Sequence, residues 1–185
     1  MKWNPHADLK GTHAFLSASD YHWLNYDEDK LRLRYSKANA RMLGTRMHDI
    51  AAELISLGIK LPQTKATLNK YVNDAINFHM RPEQTLFYSE NCFGTADAIC
   101  FRDDKLRIHD LKTGETPASM NQLLIYAALF CLEYMVKPGE IYTELRIYQS
   151  NDVIKMEAKA DDIAPIMSKI RTYDKIIKQM KTEVL

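Results

Sequence analysis

Residues 93–114, FGTADAICFRDDKLRIHDLKTG, constrain the fold more than any other stretch. Asp103 and Asp104 form a two-residue turn candidate, flanked on both sides by alternating β-branched, aromatic and aliphatic residues. With that turn as the loop, Arg102 opposes Lys105, and counting back pairs Phe101 with Leu106, Ile99 with Ile108, Asp97 with Asp110, and Thr95 with Lys112. Strand side chains repeat every second residue, so these pairs share a face that is apolar near the turn and ionic at its far end. Two aspartates directly opposite each other, about 5 Å apart, repel by roughly 3 kcal/mol at an effective dielectric of about 20. A bound cation would offset that. The alternative is a surface hairpin with scattered charges, because a one-residue slip turns one strand's set to the other face.

Around the hairpin the chain reads as one domain, 1–185, with a helical N-terminal part (about 1–80), a core (about 84–158) and a closing helix (161–182). Residues 1–12, with His6, lead past His13 to a short helix capped by Ser17 or Ser19. Leu31, Leu33 and Tyr35 alternate with Arg32 and Arg34 as a short extended stretch, after which Ser36 caps a helix over 37–57 ended by Gly58. A second helix spans 67–79, and 84–90 forms a strand leading into the hairpin. Thr116 and Pro117 start a helix over 117–135, apolar almost all round and therefore buried. Strands at 140–149 and 152–158 and a helix capped by Asp161 complete an α/β fold, bordering on α+β, with a mixed sheet of about five strands flanked by helices.

The net charge of +1 gives no global sign of nucleic-acid binding, so such a partner needs a local patch. Lys30, Arg32, Arg34, Lys37, Arg41 and Arg46 provide one, with no acidic residue between positions 30 and 46; the ordinary reading of such a run is a solvated face. Cys92, Cys100 and Cys131 lack metal-ligand spacing and read as reduced thiols. With no signal peptide and no apolar run long enough for a bilayer, the expectation is a cytoplasmic protein that does not engage a membrane.

Several single residues suggest chemistry while keeping plainer readings. His48 stands beside the apolar stripe of its helix, and Gly44 one turn earlier leaves room for something to approach. Gln122 and Tyr126 are neighbours on one helical face directly after Lys112, and Glu90 precedes Asp97 by seven residues. A packed histidine, a core tyrosine and a strand-end carboxylate are the plainer alternatives.

In order, a helical His48, Gly94-x-x-Asp97 on one strand, Asp110-x-Lys112 with Thr113 and Gly114 on the next, and Gln122-x-x-x-Tyr126 on the following helix resemble the PD-(D/E)XK nuclease superfamily, within it the RecB-like exonuclease branch. The resemblance covers about 48–126. It implies a restriction-endonuclease-like core and a divalent-metal-dependent DNA exonuclease of phage or recombination and repair type. A structure-specific endonuclease and an inactive DNA-binding or assembly module are the alternatives. By the same resemblance, Asp97, Asp110, His48 and the backbone carbonyl of Leu111 would hold Mg²⁺ or Mn²⁺. Lys112 would activate water and stabilise phosphate charge, with Glu90 as an outer participant. Gln122 and Tyr126 would hold the DNA backbone, and Lys37, Arg41 and Arg46 would meet its phosphates. Ala96 replaces the family's proline, and the cysteines of iron–sulfur relatives are missing, so no such cluster is expected. A single-strand annealing protein as partner and a homo-oligomeric assembly are further expectations of the resemblance.

Overall fold

The computed structural model describes Thr12 and residues 14–114 and 116–183; His6 and His13 lie outside the described residues. The chain divides into two compact units, Met1–Leu43 and Gly44–Leu185.

In the first unit a 3-10 helix, Tyr21–Asn25, is followed by α1 (Glu28–Leu57), which continues into the second unit from Gly44. The stretch 31–35, expected as extended, is helical, and Ser36 lies inside α1. The helix starts early because the Asp27 carboxylate accepts the Lys30 backbone N–H at 2.8 Å, while Glu28 and Asp29 fill the first turn where the helix dipole favours acids. Lys30 and Arg34 gather on Tyr26: Lys30 sits 4.7 Å from the ring centroid, and Arg34 donates to the hydroxyl at 2.8 Å.

The second unit holds a five-stranded mixed sheet in the order β1 (Arg81–Ser89), β2 (Cys92–Arg102), β3 (Lys105–Leu111), β4 (Tyr142–Gln149), β5 (Asp152–Ala158). Only β3 and β4 pair in parallel; every other neighbouring pair is antiparallel. The crossover between them is α3 (Asn121–Glu133), and α4 (Ala160–Glu183) follows β5. The fold is α/β.

Helices cover both faces. Leu123, Ala127 and Phe130 of α3 and Ile163 of α4 pack with Leu106, Ile108, Leu145 and Ile147. On the other face Ala51 and Ile55 of α1, with Tyr71, Val72 and Ala75 of α2 (Thr67–Asn77), pack with Ala98, Leu111 and Tyr148.

Three boundaries differ from expectation for local reasons. Pro82 lies inside β1, an edge strand where a missing N–H is tolerated. The third helix begins at Asn121, not at Pro117, because Gln149 holds the preceding segment in a non-helical course: its amide donates to the Gly114 and Thr116 carbonyls at 2.6 and 2.7 Å and accepts from Ala118 N–H at 3.1 Å. The last helix begins at Ala160, and Asp162, not Asp161, accepts the Lys159 N–H at 2.8 Å.

Candidate active site

The central hairpin has the expected register from Arg102–Lys105 to Ala98–His109. Asp103 and Asp104 both adopt positive φ, 51° and 55°, the left-handed pair that a two-residue turn requires and that aspartate tolerates. Beyond Ala98–His109 the ladder stops, and Asp97 does not pair with Asp110. The Asp97 carboxylate instead accepts the Leu111 N–H at 2.8 Å.

Nor do the expected pairs all share one face. Gly94 and Ala96 meet α3 or its core, as do Ile99 and Phe101, whereas Ala98 packs with α1 and α2. The alternation therefore shifts by one residue between Asp97 and Ala98. Directly across on β1, Glu83 has φ 48°, an uncommon backbone state for a glutamate. The shift turns Asp97 toward α1, while Asp110 keeps the parity of Leu106 and Ile108, which pack with α3. Asp97, in mid-β2, and Asp110, one residue before the end of β3, thus lie toward opposite faces of the sheet.

On the α1 side, His48 Nδ1 lies 3.4 Å from Asp97 Oδ2. The bond to Asp97 holds the imidazole above its ordinary pKa, against the opposing effect of burial. Glu83 joins them, and one donor atom from each of His48, Glu83 and Asp97 lies within 4.8 Å of the others. Partial burial and then the charge of Asp97 raise the Glu83 carboxyl. Tyr71, 2% exposed, is raised well above the ordinary phenol range by burial and then by Asp97 and Glu83, so it stays protonated beside the carboxylates.

On the α3 side, Lys112 Nζ lies 3.0 Å from both Asp110 oxygens, with hydrogen-bond geometry only to Oδ1; Asp110 Oδ2 is buried without a hydrogen bond. Burial and then Asp97 raise the Asp110 carboxyl, and Lys112 opposes the rise. The ammonium also donates to Gln122 Oε1 at 2.8 Å, and Gln122 Nε2 donates to Tyr126 Oη at 3.1 Å. Lys112 is fixed from behind by its backbone N–H, which donates to the Tyr148 carbonyl at 2.9 Å.

The glycines of the motifs serve close approach. A Cβ on Gly94 would lie 3.0 Å from Tyr126 Cε1, so that glycine admits the ring of the Gln-x-x-x-Tyr pair. A Cβ on Gly44 would lie 2.8 Å from Thr113 Oγ1, so the room beside His48 is taken by the segment after β3, not left for an outside group.

His48, Asp97, Asp110, Lys112, Gln122 and Tyr126 thus gather around the C-terminal end of β3 and the middle of β2. Glu90 does not join them: it sits in the β1–β2 turn, and its charge acts on Lys178 of α4. Its place is taken by Glu83, which sequence reasoning missed. A signal existed, since Phe87 and Phe93, Thr85 and Thr95, and Glu83 and Asp97 are mirrored about Glu90. Arg46 is exposed on the second unit. Lys37 and Arg41 belong to the first unit, where with Trp23 and Tyr26 they line a cavity of about 230 Å³.

The donor set of two carboxylates and an imidazole, Glu83, Asp97 and His48, suits a hard or borderline divalent cation; Asp110 is not one of the three, and its Oδ2 is buried without a hydrogen bond, 3.0 Å from Lys112 Nζ. Donors about 2.1 Å from one ion stand at most about 4.2 Å apart, so the cluster needs to tighten by only a fraction of an ångström. No helix among the described residues is long and apolar enough to cross a membrane. No protein-family model matches this sequence, and no curated protein matches it either.

Proposed function

We propose that this protein is a divalent-metal-dependent deoxyribonuclease, an exonuclease in preference to an endonuclease, of the PD-(D/E)XK type that its motifs resemble. The observation that carries the reading is Lys112, held between Asp110 and Gln122 beside the His48–Glu83–Asp97 donor cluster. An ion-paired lysine alone could be structural. A lysine whose second partner is a partly exposed amide chain ending in a tyrosine hydroxyl is arranged for an anion.

Asp97, Glu83, His48 and Asp110 would hold Mn²⁺ or Mg²⁺, and the imidazole favours Mn²⁺. When bound, the cation supplies Lewis-acid stabilisation of phosphate charge and lowers the pKa of water. Lys112 contributes a fixed positive charge where negative charge develops on the phosphate. Gln122 and Tyr126 orient a phosphodiester by hydrogen bonds, and the Leu111 carbonyl, between Asp110 and Lys112, is the backbone acceptor of the set.

The test is purified protein on end-labelled linear DNA and on closed circular DNA, with Mn²⁺, with Mg²⁺ and with chelator, beside Asp110→Ala and Lys112→Ala. Metal-dependent loss of linear DNA from its ends, reduced at least about 100-fold by either substitution, is expected. Cleavage that is equal in all three proteins, or absent from the wild type with either metal, overturns the proposal.

A further inference from the structure

On the face turned away from α3, the β1–β2 hairpin carries three cross-strand positions in a row. Glu83 stands opposite Asp97 in the register set by Pro82–Ala98 and Gln84–Ala96. Thr85 pairs with Thr95, their hydroxyls 3.1 Å apart, and Phe87 pairs with Phe93, ring centroids 6.3 Å apart and planes inclined by 30°. Leu86, Tyr88 and Ala96 pack into the α3 core, so the residues between them point the other way.

Phe93 is 62% and Phe87 48% exposed. A cross-strand aromatic pair stabilises a hairpin by less than about 1 kcal/mol, which does not account for two large rings left in water at the far end of a row that begins at a cation-binding cluster. The row changes chemistry in order: ionic, hydroxyl, aromatic. Successive pairs are two positions apart along each strand, four from the first to the last, so the rings lie about 13 Å from Glu83 and Asp97. One hydroxyl of the threonine pair donates to the other, leaving the second hydrogen free for an outside oxygen.

A nucleic acid strand offers the matching sequence of groups: a phosphate, sugar and phosphate oxygens, and a flat apolar base. We infer that this row is a track for an unpaired strand, with the phosphate to be cleaved at the donor cluster, backbone oxygens against Thr85 and Thr95, and a base stacked on Phe87 and Phe93 about two nucleotides away. The inference rests on the nuclease reading and names its substrate class as single-stranded DNA or an unpaired end. Every base has a π-face, so the platform confers no sequence preference.

Binding is measured on the full chain with Ca²⁺ and a fluorescent oligothymidylate of about twelve nucleotides. The proteins are the wild type, Phe87→Ala/Phe93→Ala and Phe93→Trp, with Mn²⁺ binding and Mn²⁺-dependent cleavage followed in parallel. The double variant is expected to bind about 10- to 100-fold more weakly while its Mn²⁺ affinity is unchanged. Phe93→Trp is expected to bind like the wild type with its indole fluorescence quenched, and an abasic oligomer to bind the wild type as weakly as oligothymidylate binds the double variant. Equal binding by wild type and double variant, or indole fluorescence left unquenched in Phe93→Trp, overturns the track; if Mn²⁺-dependent cleavage persists, the nuclease reading stands without it. Ring-dependent binding with no cleavage of any DNA overturns the nuclease reading and leaves the track as a binding surface. A wild type that binds no nucleic acid overturns both.

Discussion

At the scale of single residues the proposed function depends most on Glu83 and Lys112. Glu83 combines an unusual backbone state, φ 48°, with a carboxylate in the donor cluster, and strain of this kind persists where the surroundings fix it. Asparagine tolerates that backbone state better but carries no charge. Glu83→Asn should therefore keep or slightly raise thermal stability and weaken Mn²⁺ binding about 10-fold or more; calorimetric titration reads the affinity, and an unchanged value excludes Glu83 as a ligand. Gly94→Ala brings a methyl to 3.0 Å from the Tyr126 ring. Its expected effect is a displaced Tyr126 and a loss of turnover of about 10-fold or more, because about 1 Å of misplacement at a reacting group is that costly. Steady-state kinetics with Tyr126→Ala in the same background check this: if Tyr126 is the point of action, Gly94→Ala costs little once the ring is gone.

Elements hold these residues in place through two polar anchors, Asp74, half-buried, and Asp174, buried. Asp74 of α2 accepts from the Tyr148 hydroxyl at 2.7 Å and from Arg146 at 3.1 Å, and the Tyr148 carbonyl in turn fixes Lys112. Asp74→Ala takes one acceptor from a buried guanidinium that keeps Glu144 and from a buried phenol that keeps His109 Nδ1, at an expected cost of about 1–3 kcal/mol in urea unfolding. The second anchor joins the β1–β2 turn to α4: Asp174 accepts from Ser89 at 2.6 Å and Asn91 at 2.9 Å and pairs with Lys178 at 2.7 Å. Lys178, then Ser89 and Asn91, hold its carboxyl at about 2, below the ordinary 3.8. A depressed carboxyl stabilises the fold fully above its unfolded value and loses that contribution as pH falls through the folded one. The stability difference between wild type and Asp174→Asn should be constant above about pH 5 and shrink between 3.8 and about 2. A difference independent of pH over that window would contradict the anchor.

For the whole molecule, a cation that binds only the folded site couples to global stability. Mn²⁺ at about 100 times its dissociation constant adds about 2.7 kcal/mol, which for a chain of this size raises Tm by about 5–10 °C. Asp97→Ala should abolish the rise in a thermal melt, and a rise retained by that variant would place the metal elsewhere. The sequence by itself determined the strand content of the sheet, the Asp103–Asp104 turn and the register down to Ala98–His109, because alternation and turn chemistry are local. His48, Asp97, Asp110, Lys112, Gln122 and Tyr126 were joined into one set by the motif order in which the sequence resembles a known superfamily, and the structure links His48 to Asp97 and Lys112 to Asp110, Gln122 and Tyr126. The early start of α1 was masked by an alternating Leu-Arg pattern that a single Asp27 cap outweighs, and the late start of α3 depends on Gln149, more than thirty residues away. Only the tertiary structure decided that Asp97 and Asp110 come from opposite faces, that Glu83 and not Glu90 completes the cluster, and that Thr113 fills the space at Gly44. The facing of the aspartates follows from a one-residue shift of alternation between Asp97 and Ala98 and the Gly44 contact from distant segments, neither of which leaves a mark in periodicity, while Glu83 was signalled only by the positions mirrored about Glu90.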